Sequence, residues 1–149
     1  MASRVYNEAL RAIAAGEIDL NAADIRARLC MNTTTCDTEN DGIVELVDFT
    51  LIDIADATGY DDIDMAGLAV NKDDGNDRAE FDATDLTFAG LSGDATRDYQ
   101  GVLLYVYVDG TNANDKAICF IDFTADVPKA ATSVTVPWDS EGILQFSQA

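Results

Sequence analysis

Apolar and polar positions are patterned most clearly in the last third of the chain. Two apolar, β-branched and aromatic runs, Val102–Val108 and Ala117–Phe123, flank a polar stretch, Asp109–Asp115. That stretch opens on Asp-Gly and continues with two Asn and an Asp, which is turn chemistry, so the region predicts a β-hairpin. A third alternating run, Ser133–Trp138, follows the Pro128-Lys129 turn. Pro137 has no N–H for a ladder, so its presence there predicts a strand whose N–H side faces a sheet edge. Helical spacing occurs at the other end of the chain. Over Val5–Ala15, Leu10, Ile13 and Ala14 share a face with Val5 and Tyr6, while Arg4, Glu8 and Arg11 take the other face. Gly16 is placed to stop that helix at its C′ position.

Between these ends the pattern is shorter-ranged. Asp24–Met31 reads as a strand with Ile25, Ala27 and Leu29 on one face and Arg26 and Arg28 on the other. Asn32–Gly42 is a polar loop. Ile43–Ile54 fits a strand or a helix, and Thr50, Ile52 and Ile54 tilt it toward extended or mixed structure. Ala55–Asp64 reads as an acidic turn region, Met65–Val70 as a strand, and Asn71–Asp77 as a turn dense in Asp, Asn and Gly. Arg78–Phe81 and Asp85–Ala89 read as short strands, and Gly90–Asp98 as a loop. Short strands separated by turn signals predict a mainly β fold, an antiparallel sandwich or small barrel with one N-terminal helix. One domain over residues 1–149 is expected, with the helix at about 5–15 and the β-rich part at 24–146.

Composition narrows the partners. The chain carries 28 acidic and 9 basic residues, a formal charge of −19 and a pI near 4.1. Such a surface repels nucleic-acid phosphates and anionic lipid, so neither nucleic acid nor membrane is an expected partner. A basic protein partner, divalent cations or a salty medium would suit it, and so would solubility alone. The hydrophobic fraction of 48% and mean hydropathy of −0.03 are those of a globular chain. No apolar run reaches bilayer-spanning length and no basic-then-apolar leader opens the chain, so a soluble protein made in the cytoplasm is expected. Cys30 and Cys36 flank a polar loop and could pair if geometry allowed; Cys119, among apolar strand residues, reads as a small buried hydrophobe. Free thiols are the expectation in that compartment.

Candidate chemistry is sparse. There is no histidine, which removes the commonest general base and transition-metal ligand. Ser3, Ser92, Ser133, Ser140 and Ser147 stand in no nucleophile-elbow context, and no phosphate loop or dinucleotide fingerprint is present. Acidic pairs are so frequent that none is singled out as a glycosidase-like couple. The best local signal is Asp37-Thr-Glu39-Asn-Asp41-Gly42-Ile-Val44-Glu45-Leu-Val-Asp48. Carboxylates at loop positions one, three, five and twelve, with Gly at six, follow the spacing of an EF-hand loop and make Asp37, Glu39, Asp41 and Asp48 the candidate Ca²⁺ ligands. Position twelve is Asp rather than the bidentate Glu, and Cys30–Cys36 is poor in helix formers; a solvated acidic loop is the alternative. Asp73-Asp74-Gly75-Asn76-Asp77 reads as a turn. Tyr105, Tyr107, Phe120, Phe123, Trp138 and Phe146 read as core and sheet packing, with Trp138 beside Pro137 a possible interface anchor.

Several strings recur in a fixed order. Val5-Tyr-Asn-Glu-Ala-Leu10, Gly16-Glu-Ile-Asp-Leu20 and Asp24-Ile25 open the chain, and Phe81-Asp-Ala-Thr-Asp-Leu-Thr-Phe88 lies at its centre. Phe120-Ile121-Asp122, Val127-Pro128, Val134-Thr135-Val136-Pro137-Trp138-Asp139 and Gly142-Ile143-Leu144 close it. In this order they resemble a family of small structural proteins of tailed bacteriophages. The resemblance covers most of the chain and is weakest from Cys30 to Gly67. It implies a non-enzymatic virion protein, most simply a capsid decoration (cement) protein on the outside of the head, made in the host cytoplasm. The major capsid protein and further copies of this chain are the implied partners. The N-terminal segment Ala2–Ala15 and exposed strand edges are the expected contact elements. A tail, neck or fibre component, or a Ca²⁺-dependent binding module using Asp37–Asp48, are the alternatives.

Overall fold

The structure is a computed structural model that describes residues 2–147. In chain order the elements are β1 (Ala2–Val5), α1 (Asn7–Ala14), β2 (Ile25–Met31), a short 3-10 turn (Leu46–Asp48), β3 (Ile63–Asp64), β4 (Ala69–Asp73), β5 (Arg78–Asp82), β6 (Leu86–Ala89), β7 (Tyr99–Val106), β8 (Lys116–Val127), β9 (Ser133–Val136) and β10 (Leu144–Ser147). The two C-terminal apolar runs form the expected hairpin, β7 and β8. It sits inside a five-stranded antiparallel sheet ordered β1-β8-β7-β2-β3. Two smaller antiparallel sheets, β10-β5-β4 and β6-β9, complete the fold. It is mainly β with one N-terminal helix, and the small sheets pack on one face of the large one as a sandwich.

The large sheet is buried on both faces. On one, Ile25, Ala27 and Leu29 of β2 join Val102 and Leu104 of β7 and Ile118 and Ile121 of β8. These meet Phe81, Leu86, Phe88, Val134, Val136 and Leu144 from the small sheets, which forms the main core. On the other, Cys30, Leu103, Tyr105, Ala117 and Phe120 meet Tyr6 and Ala9 of the N-terminal region and Cys36, Ile43, Leu46 and Phe49 of the loop region, forming a second core. The Tyr6 and Phe49 rings meet edge-on with centroids 5.2 Å apart.

The N-terminal region differs from its periodicity in two ways. Residues 2–5 are a strand, so the helix begins at Asn7. The helix also buries Ala9 and Ala12, while Leu10 and Ala14 face solvent. Small side chains let the helix lie close to β8, and a leucine on that face would hold it off. Its C-terminus follows expectation: Gly16 has φ +72, its N–H donates to the Ile13 carbonyl at 3.1 Å and the Glu17 N–H to the Ala12 carbonyl at 2.8 Å.

Two other boundaries move. The strand expected at Met65–Val70 starts at Ala69 and runs to Asp73, so the turn shortens to 74–77, with Asp77 at φ 51. The Asp73 carboxylate accepts from the Gly75 N–H and the Asn76 side chain, which fastens that turn. Strand β9 ends at Val136, so Pro137 follows the strand rather than sitting within it. The segment 43–54 is irregular with one 3-10 turn, neither a helix nor a regular strand. It is tied to the sheet by bridges from Glu45 to Lys116 and from Ile54 to Cys30.

Candidate functional site

The four EF-hand-spaced carboxylates lie in one loop, and no three of them come within shared-ligand distance of one another. Asp37 Oδ2 accepts from Nε2 of Gln100, a residue of β7, at 3.0 Å. Glu39 Oε2 accepts from the Thr50 N–H at 2.9 Å and the Thr35 hydroxyl at 3.0 Å. Asp48 Oδ2 accepts from the Val44 and Glu45 N–H groups at 3.0 and 2.9 Å, and with Glu45 it forms a reciprocal capping box on the 3-10 turn. Asp41 is exposed. Glu39, Asp41 and Asp48 line one open cleft of about 510 Å³ together with the cationic Arg4, and Asp37 is not part of its lining. In this arrangement Glu39 and Asp48 are turn-fastening acceptors whose lone pairs are directed at backbone N–H groups.

Among the described residues, three acidic side chains gather closely at one other place: Asp73, Glu80 and Glu141. Arg78 stands within that group. Its Nε lies 3.3 Å from Asp73 Oδ2 and donates to Glu80 Oε1 at 2.8 Å, and its Nη2 reaches Glu80 at 2.7 Å and also meets Glu141. The Nη2 contacts fall outside hydrogen-bond geometry, so they are ion pairs. One guanidinium offsets part of the charge of these three carboxylates and ties β4, β5 and the approach to β10 together.

Periodicity also gives no hint of a half-buried polar network beside β2. Asp62 accepts from Arg28 Nε at 2.9 Å, the Tyr105 hydroxyl at 2.7 Å and the Tyr60 hydroxyl at 2.5 Å. The Tyr60 hydroxyl in turn accepts from the Leu29 N–H at 2.9 Å. The Arg28 guanidinium stacks 4.9 Å from the Tyr105 ring centroid. Burial and the Asp62 charge push the Tyr60 and Tyr105 hydroxyls up, so both stay protonated as donors.

Another concave surface, with mixed polar and apolar walls, is a cleft of about 560 Å³ near the chain's two ends. Val5 of β1 and Ile121 of β8 form one wall, and Pro137, Trp138, Ile143 and Leu144 form much of the other. Hydrogen bonds fix the second wall. Trp138 donates through its N–H to Asp85 Oδ1 at 2.9 Å and through Nε1 to the Thr84 carbonyl at 3.0 Å. The Ile143 N–H donates to the Phe81 carbonyl at 2.7 Å. Gly142 turns the chain at φ +83, and a Cβ there would stand 2.8 Å from the Phe81 carbonyl oxygen, so this bend requires glycine. Strands β1 and β10 are outermost in their sheets and both contribute to the lining, so strand edges flank the cleft. Pro137 is exposed and Trp138 half-buried there, whereas Tyr105 and Phe120 are core residues.

Sequence spacing could not bring these walls together, because Val5 and Leu144 are at opposite ends of the chain. Val5, Ile121, Pro137, Trp138, Gly142, Ile143 and Leu144 all lie in the ordered strings that open and close the chain. No helix among the described residues is long and apolar enough to cross a membrane. In comparison with known proteins, no family model, no curated protein and no solved structure matches this chain.

Proposed function

We propose that this protein is a non-enzymatic virion structural protein, a capsid decoration (cement) protein. In this reading the cleft between β1 and β10 receives an extended segment of the major capsid protein. The observation that carries the reading is the convergence at one cleft of residues from the opening and closing strings of the resemblance. Outer strands present unpaired N–H and C=O groups, and an extended segment can satisfy them by strand addition while its side chains enter the cleft. The charge of −19 favours a Lys- or Arg-bearing segment and disfavours packaged DNA. Repeated over a capsid lattice, modest contacts of this kind add by multivalency and reinforce the shell.

The test is the copy number and position of this chain in purified particles, by cryo-electron microscopy with quantitative mass spectrometry. Hundreds of copies on the head, with density in the β1–β10 cleft, are expected. A few copies at a vertex or along the tail would replace this reading with a tail, neck or fibre role. The Ca²⁺-module alternative predicts a saturable calorimetric signal with Ca²⁺ that Asp41→Ala removes; the decoration reading predicts no such heat.

A further inference from the structure

Cys30 and Cys36 belong to the second core, and both are fully buried. Cys119, also fully buried, belongs to the main core on the opposite face of the large sheet. The sheet therefore separates Cys119 from the other two. Between Cys30 and Cys36 the chain doubles back: the Thr34 N–H donates to the Met31 carbonyl at 3.2 Å, and the Cys36 N–H to the Thr34 hydroxyl at 3.4 Å. The Tyr6 hydroxyl, donating to the Cys36 carbonyl at 2.9 Å, holds the returning loop in place. As a result both thiols sit in the same core on the same side of the sheet, and the Cys30 S–H donates to the Arg28 carbonyl at 3.7 Å.

We propose that Cys30 and Cys36 are a disulfide-forming pair, which a low-molecular-weight disulfide such as oxidised glutathione converts into an intramolecular staple between β2 and the loop that covers the second core. The electron balance is that of two thiol–disulfide exchanges. The Cys36 thiolate attacks one glutathione sulfur, and the first glutathione leaves as a thiolate. Cys30 then gives up its proton and attacks the Cys36 sulfur, which releases the second glutathione. Two protein thiols are oxidised and one glutathione disulfide is reduced to two thiols. The surroundings favour that order. Interaction with Cys30 lowers the pKa of Cys36, while the same interaction and burial raise that of Cys30. Burial alone raises Cys119, which leaves it unreactive. Because all three thiols are covered, exchange proceeds during folding or on opening of the loop.

Methionine placement makes the test direct. Cyanogen bromide cuts after Met31 and Met65, placing Cys30, Cys36 and Cys119 in three separate fragments. The full chain is refolded in a glutathione buffer rich in the oxidised form, the free thiols are alkylated under denaturing conditions, and intact mass and non-reduced fragments are read. The expected result is a mass about 2 Da below the reduced chain before alkylation. It also includes a single alkylated cysteine at Cys119, and fragments 2–31 and 32–65 joined until dithiothreitol is added. Cys119→Ala should leave the link unchanged, and Cys36→Ser should abolish it. Three alkylatable thiols, a stable glutathione adduct, or a link to the Cys119 fragment would each overturn the proposal. The wild-type fragment map decides the matter even where a cysteine variant fails to fold.

Discussion

The two faces of the central sheet are covered in different ways. On one face, β5, β6, β9 and β10 supply alternating side chains such as Leu86 and Phe88 or Val134 and Val136, buried every second residue. Regular strands and non-directional apolar contact account for that face. The other is covered by the N-terminal helix region and by the segment 32–54, which has no regular ladder. There the cover is fastened by side-chain to backbone bonds: Thr35 with Leu51, Glu39 with Thr50 and Asp48 with Val44 and Glu45. Asp53 adds its bonds to Thr33 and Arg97. Repeating apolar pattern builds a layer whose parts support one another, whereas a loop cover depends on individual polar bonds. The first therefore fails by cavity formation and the second by loss of single acceptors.

The largest effect is expected in the main core. Phe81 is fully buried, and Phe81→Ala should cost about 3–5 kcal/mol in denaturant unfolding. A loss under 1 kcal/mol would mean that the small sheets are not integral to the fold. Next comes Asp62→Ala, which leaves Arg28 and the Tyr60 and Tyr105 hydroxyls without their acceptor. About 3 kcal/mol is expected for breaking such a half-buried pair, with Arg28→Met in the same background recovering part of it. In the loop cover, Asp48→Ala removes the cap of the 3-10 turn, and about 1 kcal/mol should be lost. Hydrogen exchange should then accelerate in 43–54 while the β7 and β8 amides hold, and equal acceleration in both would erase the contrast between the faces.

Acid should widen the contrast. The Thr50 hydroxyl and N–H hold Glu39 below the usual carboxylate range. Burial works against ionisation of Asp53, but the Arg97 guanidinium and the Thr33 hydroxyl and N–H outweigh it, so Asp53 is lowered too. A carboxylate lowered in the folded state stabilises above its unfolded pKa, near 4, and that contribution fades as pH falls through the lower folded value. Exchange protection in 32–54 should therefore decline below about pH 4 before that of the main core, and Asp53→Asn should flatten the decline. Protection that falls uniformly over both faces would contradict this assignment.

How much of this was legible beforehand follows from the same contrast. The β7–β8 hairpin, the β2 strand with Arg26 and Arg28 opposite Ile25, and the Gly16 helix stop were readable, because local alternation and turn chemistry specify them. Strand β1 was not, because Ala2–Val5 is extended only by virtue of pairing with Asp122–Cys119, far along the chain. The helix's buried face was misread because hydrophobicity pointed to Leu10, while close packing on β8 selected Ala9 and Ala12. The acidic spacing from Asp37 to Asp48 was legible as spacing, but Glu39 and Asp48 were turned to nearby backbone N–H groups and Asp37 to the Gln100 side chain.

The sequence by itself determined a mainly β, acidic, histidine-free chain with one N-terminal helix and its principal hairpin, because these depend on neighbours within a few residues. Only the tertiary structure decided that Val5 would face Leu144 across a cleft and that Arg78 would gather three carboxylates. It also decided that two cysteines would meet on one side of the sheet with the third on the other. Each of these is a contact between distant segments, set by the packing of both sheet faces at once, and no local pattern carries that information.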